Sequence, residues 1–412
     1  MFGTIVLFAF GTLVCLIGLY VSRWLEMLVG IFLNLIFMAI LMYQEKKKKK
    51  SNNLKTENKE QSFFQYGHAY VKSKIDAAVR DGSRIAVVSG KLEIDKPIRL
   101  PSNFSLILEN CHLRMADGCY SNMFVNEHHD TELGKTQDGT DKNIRILGRG
   151  RAIIDGGKYN GLSEKNHSRN GMPPIWKNNL ILFTNVDGFK ISNISCRNQR
   201  WWAMNFIYCS NGYIGGIDFC SNDILIDPNG NEIHGLRRAD NYDVLVKNAD
   251  GIDLRCGCHD IVIKNLTGFT EDDTVALTAL DGNLEKTFAV KGLPSDIYNV
   301  KIKNISTASF CTNVRLLNQG DFKLHDIVID GVYDQSEGSP HMDKGLYAVR
   351  VGDTRLYGTR HSTKEETYNI RIKNVVGGGL YAVSLAGEVG NLVMSDIRTL
   401  GDTQMILDQR TD

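Results

Sequence analysis

Four aspartates within residues 248–280 have the spacing of a carboxylate active site. Asp250 and Asp253 lie in one extended segment, and Asp272 and Asp273 lie in a second. Asp250 and Asp272 are 22 positions apart, about one turn of a coiled parallel β-structure. Their side chains are therefore expected on neighbouring strands about 4.8 Å apart. Crowded carboxylates acquire different pKa values, so that one can donate a proton while another accepts one. The pattern indicates the acid–base chemistry that cleaves glycosidic bonds.

The elements that must position these aspartates are short strands in a repeating unit. The unit has two alternating apolar residues, then Asn, Gly or Asp, then another apolar residue, and it begins at Phe189, Ile261, Val300, Ile327, Ile370 and Leu392. Successive units are 72, 39, 27, 43 and 22 residues apart. Such spacing favours coils of roughly 22–25 residues with insertions, or with some coils that lack the unit. Asparagine suits the corner of a coil because it tolerates left-handed backbone angles.

We therefore predict an all-β fold, a single-stranded right-handed parallel β-helix over residues 63–412. The alternative is an antiparallel β-sandwich, whose strands are also short and alternating. Residues 69–80 have a helical pattern with Val71, Ile75, Ala78 and Val79 on one side, which predicts an N-terminal helix that caps the open end. Before residue 185 the predicted strands are Ile85–Val88, Ile98–Leu100, Ser105–Leu108, Ile144–Leu147 and Ile181–Phe183.

Residues 1–45 contain two apolar runs that precede this body. Phe2–Ser22 has no charged residue, and Trp24–Tyr43 carries only Glu26. Each run has about the 20 residues that a helix needs to cross a bilayer. The positive charges of Lys46–Lys50 come after the runs, so we expect an uncleaved membrane-spanning helix or helical hairpin in residues 1–45 and a basic, polar linker in residues 46–62. A hairpin places the soluble domain on the cytoplasmic face, whereas a single span reverses the side.

Composition excludes several other classes. Residues 1–50 carry six Lys and Arg against two Glu, which leaves the rest of the chain acidic and argues against a nucleic-acid partner. The nine cysteines have no disulfide rhythm, and the pair Cys256 and Cys258, followed by His259, lacks a second pair of zinc ligands. No nucleotide-binding glycine loop or serine elbow is present. We expect neither a metal nor a cofactor.

Two segments resemble a known family. Lys91–Arg114 resembles the opening of the pectin-lyase-like right-handed β-helix proteins, and Asn248–Leu280 resembles the polygalacturonases of glycoside hydrolase family 28. In that family an Asn-Thr-Asp motif leads into Asp-Gly-x-Asp, and an Asp-Asp pair follows about one coil later. The first motif here reads Asn248-Ala249-Asp250-Gly251-Ile252-Asp253, and the second begins with Asp272-Asp273-Thr274. The resemblance covers residues 68 to 405, approximately.

The resemblance implies a role for each aspartate. Asp272 is the general acid on the leaving oxygen, while Asp250 and Asp273 activate water for an inverting attack. The chain also departs from the family, because no His-Gly follows within the next coil. Arg315-Leu316-Leu317 stands where the family has Arg-Ile-Lys, which keeps the arginine and loses the lysine. These departures point to a sugar other than galacturonate, and a neutral one is credible.

Three further residues are candidates for contact with the substrate. Trp202, next to Trp201, offers an indole that stacks on a sugar ring if one of the two faces solvent. Arg255 either steadies charge on the substrate or pairs with an acidic neighbour. His234, followed by Gly235, is expected in a loop over the cleft or in a surface loop without function.

The prediction that follows is a glycosidase that cleaves a pectin-like or other oligosaccharide. A polysaccharide lyase or epimerase on the same scaffold is an alternative, which would abstract a proton next to a carboxylate. The missing His-Gly and lysine weaken this alternative as they weaken cleavage of a galacturonate chain. A non-catalytic β-helix that binds glycans is another, with the aspartates serving only in turns. Fold alone does not choose among these functions. In all three cases the expected partner is an oligo- or polysaccharide.

Overall fold

The computed structural model describes residues 67–157, 177–199, 201–221, 224–226, 232–234, 250–354, 357 and 360–410. The predicted membrane segment, residues 1–45, and the predicted linker, residues 46–62, lie outside the described residues. Within the described part of the chain, no helix is both long enough and apolar enough to cross a bilayer.

The body consists of two ladders of stacked parallel strands. The first ladder contains, in stacking order, β1 (Ile85–Ile94), β3 (Ser105–Met115), β5 (Asp141–Asp155), β6 (Asn179–Arg197), β7 (Trp202–Cys220), β11 (His259–Thr270), β13 (Ile297–Ser309), β15 (Leu324–Asp334), β17 (Thr367–Gly377) and β19 (Gly390–Thr399). The second contains β2 (Ile98–Leu100), β4 (Phe124–Asn126), the first halves of β6 and β7, β10 (Asp250–Leu254), β12 (Val275–Ala279), β14 (Thr312–Asn318), β16 (Tyr347–Gly352), β18 (Tyr381–Ala386) and β20 (Gln404–Asp408). The chain alternates between the ladders, which confirms the predicted parallel β-helix and excludes the sandwich.

The sequence repeats coincide with the coils. Phe189, Ile261, Val300, Ile327, Ile370 and Leu392 stack in one column of the first ladder. Gly212 stands between Phe189 and Ile261 in that column. The interval of 72 residues therefore contains one coil in which glycine replaces the apolar marker, whereas the intervals of 39 and 43 residues are single coils with insertions.

The corner residues have the left-handed backbone that the sequence predicts. Positive φ angles between 54° and 60° occur at Asn193, Asn265, Asn304, Asn374 and Asp396, and glycine takes the same corner at Gly216 and Gly331. Asn304 Nδ2 donates a hydrogen bond to Asn265 Oδ1 of the preceding coil at 3.1 Å. Asparagine at these corners therefore satisfies both the backbone and the neighbouring coil.

Helix α1 (Gly67–Arg80) lies at the start of the β-helix and packs on β1. It buries Val71, Ile75 and Ala78, as predicted, but Val79 is 36% exposed, so its placement on the buried side was wrong. The five strands predicted before residue 185 are all present, and four of them extend further than the apolar runs suggested. They are longer because a strand continues through the corner of a coil without a break in pairing. A short helix, α2 (Asn283–Thr287), follows β12, and β8 (Ile224–Ile226) pairs antiparallel with β9 (Glu232–His234).

Candidate active site

One pocket of about 210 Å³ opens on the second ladder. Its charged lining residues are Asp250, Asp253, Arg255, Asp272, Asp273 and Arg315. Its uncharged lining residues are Trp201, Trp202, Ala276, Thr278, Leu280, Leu317 and Tyr357. The structure therefore brings together the three predicted catalytic aspartates and three of the four predicted substrate-binding residues. The fourth, His234, lies in β9, and its side chain is outside the described set.

The register of adjacent strands explains this convergence. Asp253 on β10 is the partner of Ala276 on β12, and Ala276 is the partner of Arg315 on β14. On β10, Ile252 and Leu254 belong to the apolar core, so the alternation of a strand directs Asp253 to the opposite face. Side chains that are distant in sequence consequently form one column across three coils.

A close backbone contact positions the Asp272-Asp273 loop. The backbone N–H of Gly251 donates a hydrogen bond to the carbonyl oxygen of Asp273 at 2.9 Å, and Ile252 N–H donates to Thr274 O at 2.9 Å. A Cβ atom on Gly251 would lie 2.5 Å from the carbonyl oxygen of Thr274. Asp250-Gly251 therefore does not form a turn here. Glycine is needed at this position because the backbone of the next coil comes too close for a side chain.

Hydroxyl groups hold the other side of the same loop. Thr270 Oγ1 and Ser309 Oγ donate hydrogen bonds to the carbonyl oxygen of Asp272 at 2.7 and 2.8 Å. Thr274 N–H donates to Thr312 O at 2.9 Å, which ties the loop to the next coil. The Asp272 and Asp273 carboxyl groups are therefore presented from a backbone that is bonded on both sides.

Each arginine in the pocket is paired with two carboxylates. Arg315 lies 3.3 Å from Asp273 and 2.6 Å from Asp353. Arg255 lies 3.2 Å from Asp253 and 2.8 Å from Glu285, a residue of α2. The side chains of both arginines are only 9% exposed. Of the two roles considered for Arg255, the structure places it in the ion pair.

Burial and crowding raise the pKa values of two of the aspartates. Burial, with a further contribution from Asp273, raises the pKa of Asp253 to about 7 although Arg255 opposes the shift. Burial also raises the pKa of Asp273 to about 6, with Asp272 adding to the shift and Arg315 opposing it. Asp253 therefore holds a proton for much of the time at neutral pH, whereas Asp273 is mostly ionised.

The two tryptophans do not present a free indole. Trp201 is 5% and Trp202 is 8% exposed, and their rings meet edge to face at 6.3 Å. The Arg255 guanidinium covers the Trp202 ring at 4.2 Å from its centroid. The expectation that one of the two indoles faces solvent was wrong, because the arginine takes the position over the ring. Among the described residues that line this pocket, Tyr357 is an aromatic residue with 56% exposure.

Sequence reasoning missed Glu285, Asp353 and Tyr357, which come from segments between strands and carry no repeat signal. Arg350 was also missed, although it had a signal. Val349-Arg350-Val351 repeats the pattern of Val314-Arg315-Leu316, and Arg350 is the register partner of Arg315. An arginine between two apolar residues in successive coils therefore indicates a continuing basic column on the outer face.

Metal-ligating side chains also meet at this site. Asp272, Asp273 and Cys311 bring one potential ligand atom each within 4.8 Å of one another. Burial raises the pKa of the Cys311 thiol well above its usual range, and Arg315 already pairs with Asp273. A protonated thiol and a guanidinium group disfavour a cation, so this cluster fits proton transfer better than metal binding.

One family model matches the part of the chain that contains the aspartate motifs. Residues 131–292, less than half of the chain, match the sequence model of glycosyl hydrolases family 28. No curated protein sequence matches the chain. The tailspike protein of E. coli bacteriophage HK620, in complex with pentasaccharide, aligns with a TM-score of 0.51 at 13% identity over 83% of this chain and 61% of its own, a likeness that shows the fold alone.

Two polygalacturonase structures also align. A hyperthermoactive exopolygalacturonase from Thermotoga maritima has a TM-score of 0.45 at 13% identity over 82% of this chain and 87% of its own. The polygalacturonase from Erwinia carotovora has a TM-score of 0.41 at 13% identity over 76% and 74%. The segment matched by the family model contains Asp250, Asp272 and Asp273. The match confirms the predicted resemblance for the segment that carries the two aspartate motifs, and it supports glycosidase activity.

Proposed function

We propose that this glycosidase hydrolyses a pectin-like or other oligosaccharide with inversion at the anomeric carbon. The observation that carries the proposal is the convergence of Asp250, Asp272 and Asp273, from two consecutive coils, on one pocket beside Arg315. Paired carboxylates at the mouth of a pocket supply the acid and the base that glycoside hydrolysis requires.

Asp272 is the proposed general acid, because it is the more exposed member of the Asp-Asp pair and can reach a leaving oxygen. The ligand atoms of Asp272 and Asp273 lie within 4.8 Å of each other. An inverting enzyme separates its acid and base by roughly 6.5–9.5 Å to admit the attacking water. Asp273 is too close to Asp272 for this role, so Asp250 is the proposed base, and ionised Asp273 is proposed to accept a hydrogen bond from the same water.

The test is release of reducing sugar by the full-length protein from a panel of pectic and neutral oligosaccharides. We expect Asp272→Asn and Asp250→Asn to lose about 10³-fold or more in kcat/KM, because general acid–base catalysis contributes about 10²–10⁴-fold. Asp396→Asn is the matched control, since Asp396 is an exposed corner residue at φ 55°, where other coils carry asparagine. Equal activity of Asp272→Asn and Asp396→Asn would remove Asp272 from the mechanism.

The stereochemistry of the first product distinguishes the mechanism from its alternatives. Proton NMR during the first turnovers should show the anomer opposite to that of the substrate, and a retained anomer would contradict inversion. A lyase would instead form an unsaturated uronate with ultraviolet absorbance. Binding without any released sugar would favour the non-catalytic glycan-binding module.

The proposed anchor adds a location to this function. Residues 1–45 are proposed to hold the enzyme at a membrane, with the catalytic domain on the cytoplasmic face, because the lysines follow the apolar runs. Full-length protein should remain with membranes after alkaline carbonate extraction. Protease added to intact cells should leave the catalytic domain uncut, and cleavage from outside would reverse the proposed side.

A further inference from the structure

We propose that the pocket accepts a neutral sugar ring in preference to a uronate, and that Leu317 is a specificity-determining residue for this choice. The inference rests on the glycosidase function proposed above and deepens it by naming the substrate class. It is derived from the charges around the pocket, the pairing of its arginines and the nature of its uncharged lining.

Negative charge dominates the pocket. Among the described residues, four carboxyl groups line it against two guanidinium groups, with Glu285 and Asp353 behind the arginines and Arg350 at 4.0 Å from Asp353. Even when Asp253 is protonated and Asp272 carries the proton of the proposed acid, carboxylates outnumber guanidinium groups. A uronate would bring a further carboxylate into this group. Like charges in a partly buried site repel strongly, whereas a neutral ring carries no such penalty.

Each arginine already has two carboxylate partners, so its charge is largely offset within the protein. Arg315 is held between Asp273 at 3.3 Å and Asp353 at 2.6 Å, and Arg255 is held between Asp253 at 3.2 Å and Glu285 at 2.8 Å. A uronate at either arginine would share a guanidinium group with two protein carboxylates. Any shift of that group toward the substrate would weaken a buried ion pair, which is unfavourable.

The remaining lining is suited to an uncharged ring. Leu317 lies two residues beyond Arg315 on the same face of β14, and its register partner on β12 is Thr278. Leu317 is 4% exposed, so its side chain presents methyl groups at the position where a second cation could stand. Tyr357 adds an aromatic ring with 56% exposure. The Arg315 guanidinium lies over one face of this ring at 5.5 Å from its centroid, so only the other face could stack on the apolar face of a pyranose.

The experiment compares matched substrates that differ only at one carbon. Each neutral oligosaccharide of a panel is paired with its counterpart in which the C6 hydroxymethyl group is oxidised to a carboxylate. Cleavage by the full-length protein and binding to full-length Asp272→Asn, measured by calorimetry, are recorded for both members. We expect kcat/KM and affinity to favour the neutral member by about tenfold or more, the scale on which charge placement discriminates between ligands.

Leu317→Lys tests the proposed residue directly. The variant should shift the neutral-to-uronate ratio toward the uronate by about tenfold, because it adds a further cation to the pocket beside Arg315. Leu317→Met is the matched control, since it keeps the volume without the charge and should keep the wild-type ratio. Equal shifts in both variants would overturn the role of Leu317.

The outcomes separate this inference from the function on which it rests. A wild-type protein that cleaves the uronates as well as or better than the neutral partners, while Asp272→Asn is inactive, overturns the inference and leaves the glycosidase function in place. Sugar release that persists undiminished in Asp272→Asn overturns the proposed mechanism instead. Failure of every neutral member to bind counts against the inference.

Discussion

Gly251 and Asp273 are joined by a backbone hydrogen bond of 2.9 Å that couples the two aspartate motifs of the site. The glycine follows Asp250 directly, so its N–H sets the distance between the segment that carries the proposed base and the loop that carries Asp272. The glycine of Asp250-Gly251 thus allows the backbones of two neighbouring coils to come into contact. Its sequence alone is equally typical of a turn.

Gly251→Ala should therefore impair catalysis more than stability. The added Cβ would lie 2.5 Å from Thr274 O, so the Asp272-Asp273 loop must move away. Displacement of a catalytic group by about 1 Å costs about 10²-fold in rate, and we expect kcat/KM to fall by about that factor. The measurements are kcat/KM on the preferred oligosaccharide and the unfolding temperature of the protein.

Gly90→Ala is the control for that substitution. Gly90 has φ 91° and no atom within 4 Å of an added Cβ, so alanine there strains the backbone without touching the site. We expect a lower unfolding temperature with wild-type kcat/KM. Wild-type kcat/KM in Gly251→Ala would show that the close contact does not position the loop.

The pH dependence of kcat/KM should have its acidic limb near pH 6. In the proposed mechanism Asp273 must be ionised to interact with the attacking water, and its pKa is raised to about 6 by burial and by Asp272. Below that pH the rate should fall about tenfold per unit, because one essential group becomes protonated. A limb near pH 4 would mean that Asp273 has an ordinary pKa or takes no part.

Arg315→Gln should move this limb to higher pH. The guanidinium group 3.3 Å from Asp273 favours the ionised carboxylate, so its removal raises the pKa of Asp273 further. A neighbouring cation changes a carboxyl pKa by about 1–3 units, and we expect a displacement at the lower end of that range. Arg371→Gln is the control, because Arg371 is exposed on the other ladder. An unchanged limb in Arg315→Gln would contradict the ion pair.

The sequence could predict the site residues that lie in or next to the repeated strands, but not those in the segments between strands. The coil spacing predicted that Asp250 and the Asp272-Asp273 pair lie in neighbouring coils, although the pair lies in a loop before β12 and the register offset is 23 residues. The alternation of β14 brought Arg315 to the same face. Glu285 and Asp353 come from α2 and from the segment after β16, whose positions depend on tertiary packing. The burial of Trp202 could not be predicted for a similar reason, since it follows from the Arg255 guanidinium above its ring.

The stability of the protein should depend on pH through Asp253. Its pKa is about 7 in the folded protein and close to the ordinary aspartate value when unfolded, so the folded state binds the proton more tightly between about pH 4 and 7. The stabilisation from this proton is complete below about pH 4 and is lost as the pH rises through 7. Asp253→Asn should therefore flatten the decline of the unfolding temperature between pH 5 and pH 8, the range to be scanned. Asp396→Asn should leave the decline unchanged, and an equal slope in both variants would contradict a raised pKa at Asp253.

Arg255 should contribute to stability as the shared partner of Asp253 and Glu285. Arg255→Met keeps much of the side-chain volume but leaves two buried carboxyl groups without their cation, and we expect a loss of about 3–5 kcal/mol in the free energy of unfolding. The loss should be much smaller when Asp253→Asn and Glu285→Gln are already present, because no buried charge is then left unpaired. Chemical denaturation of the four proteins in this cycle measures the coupling. If Arg255→Met costs the same in both backgrounds, the arginine stabilises the fold through its contact with Trp202 and not through the two ion pairs.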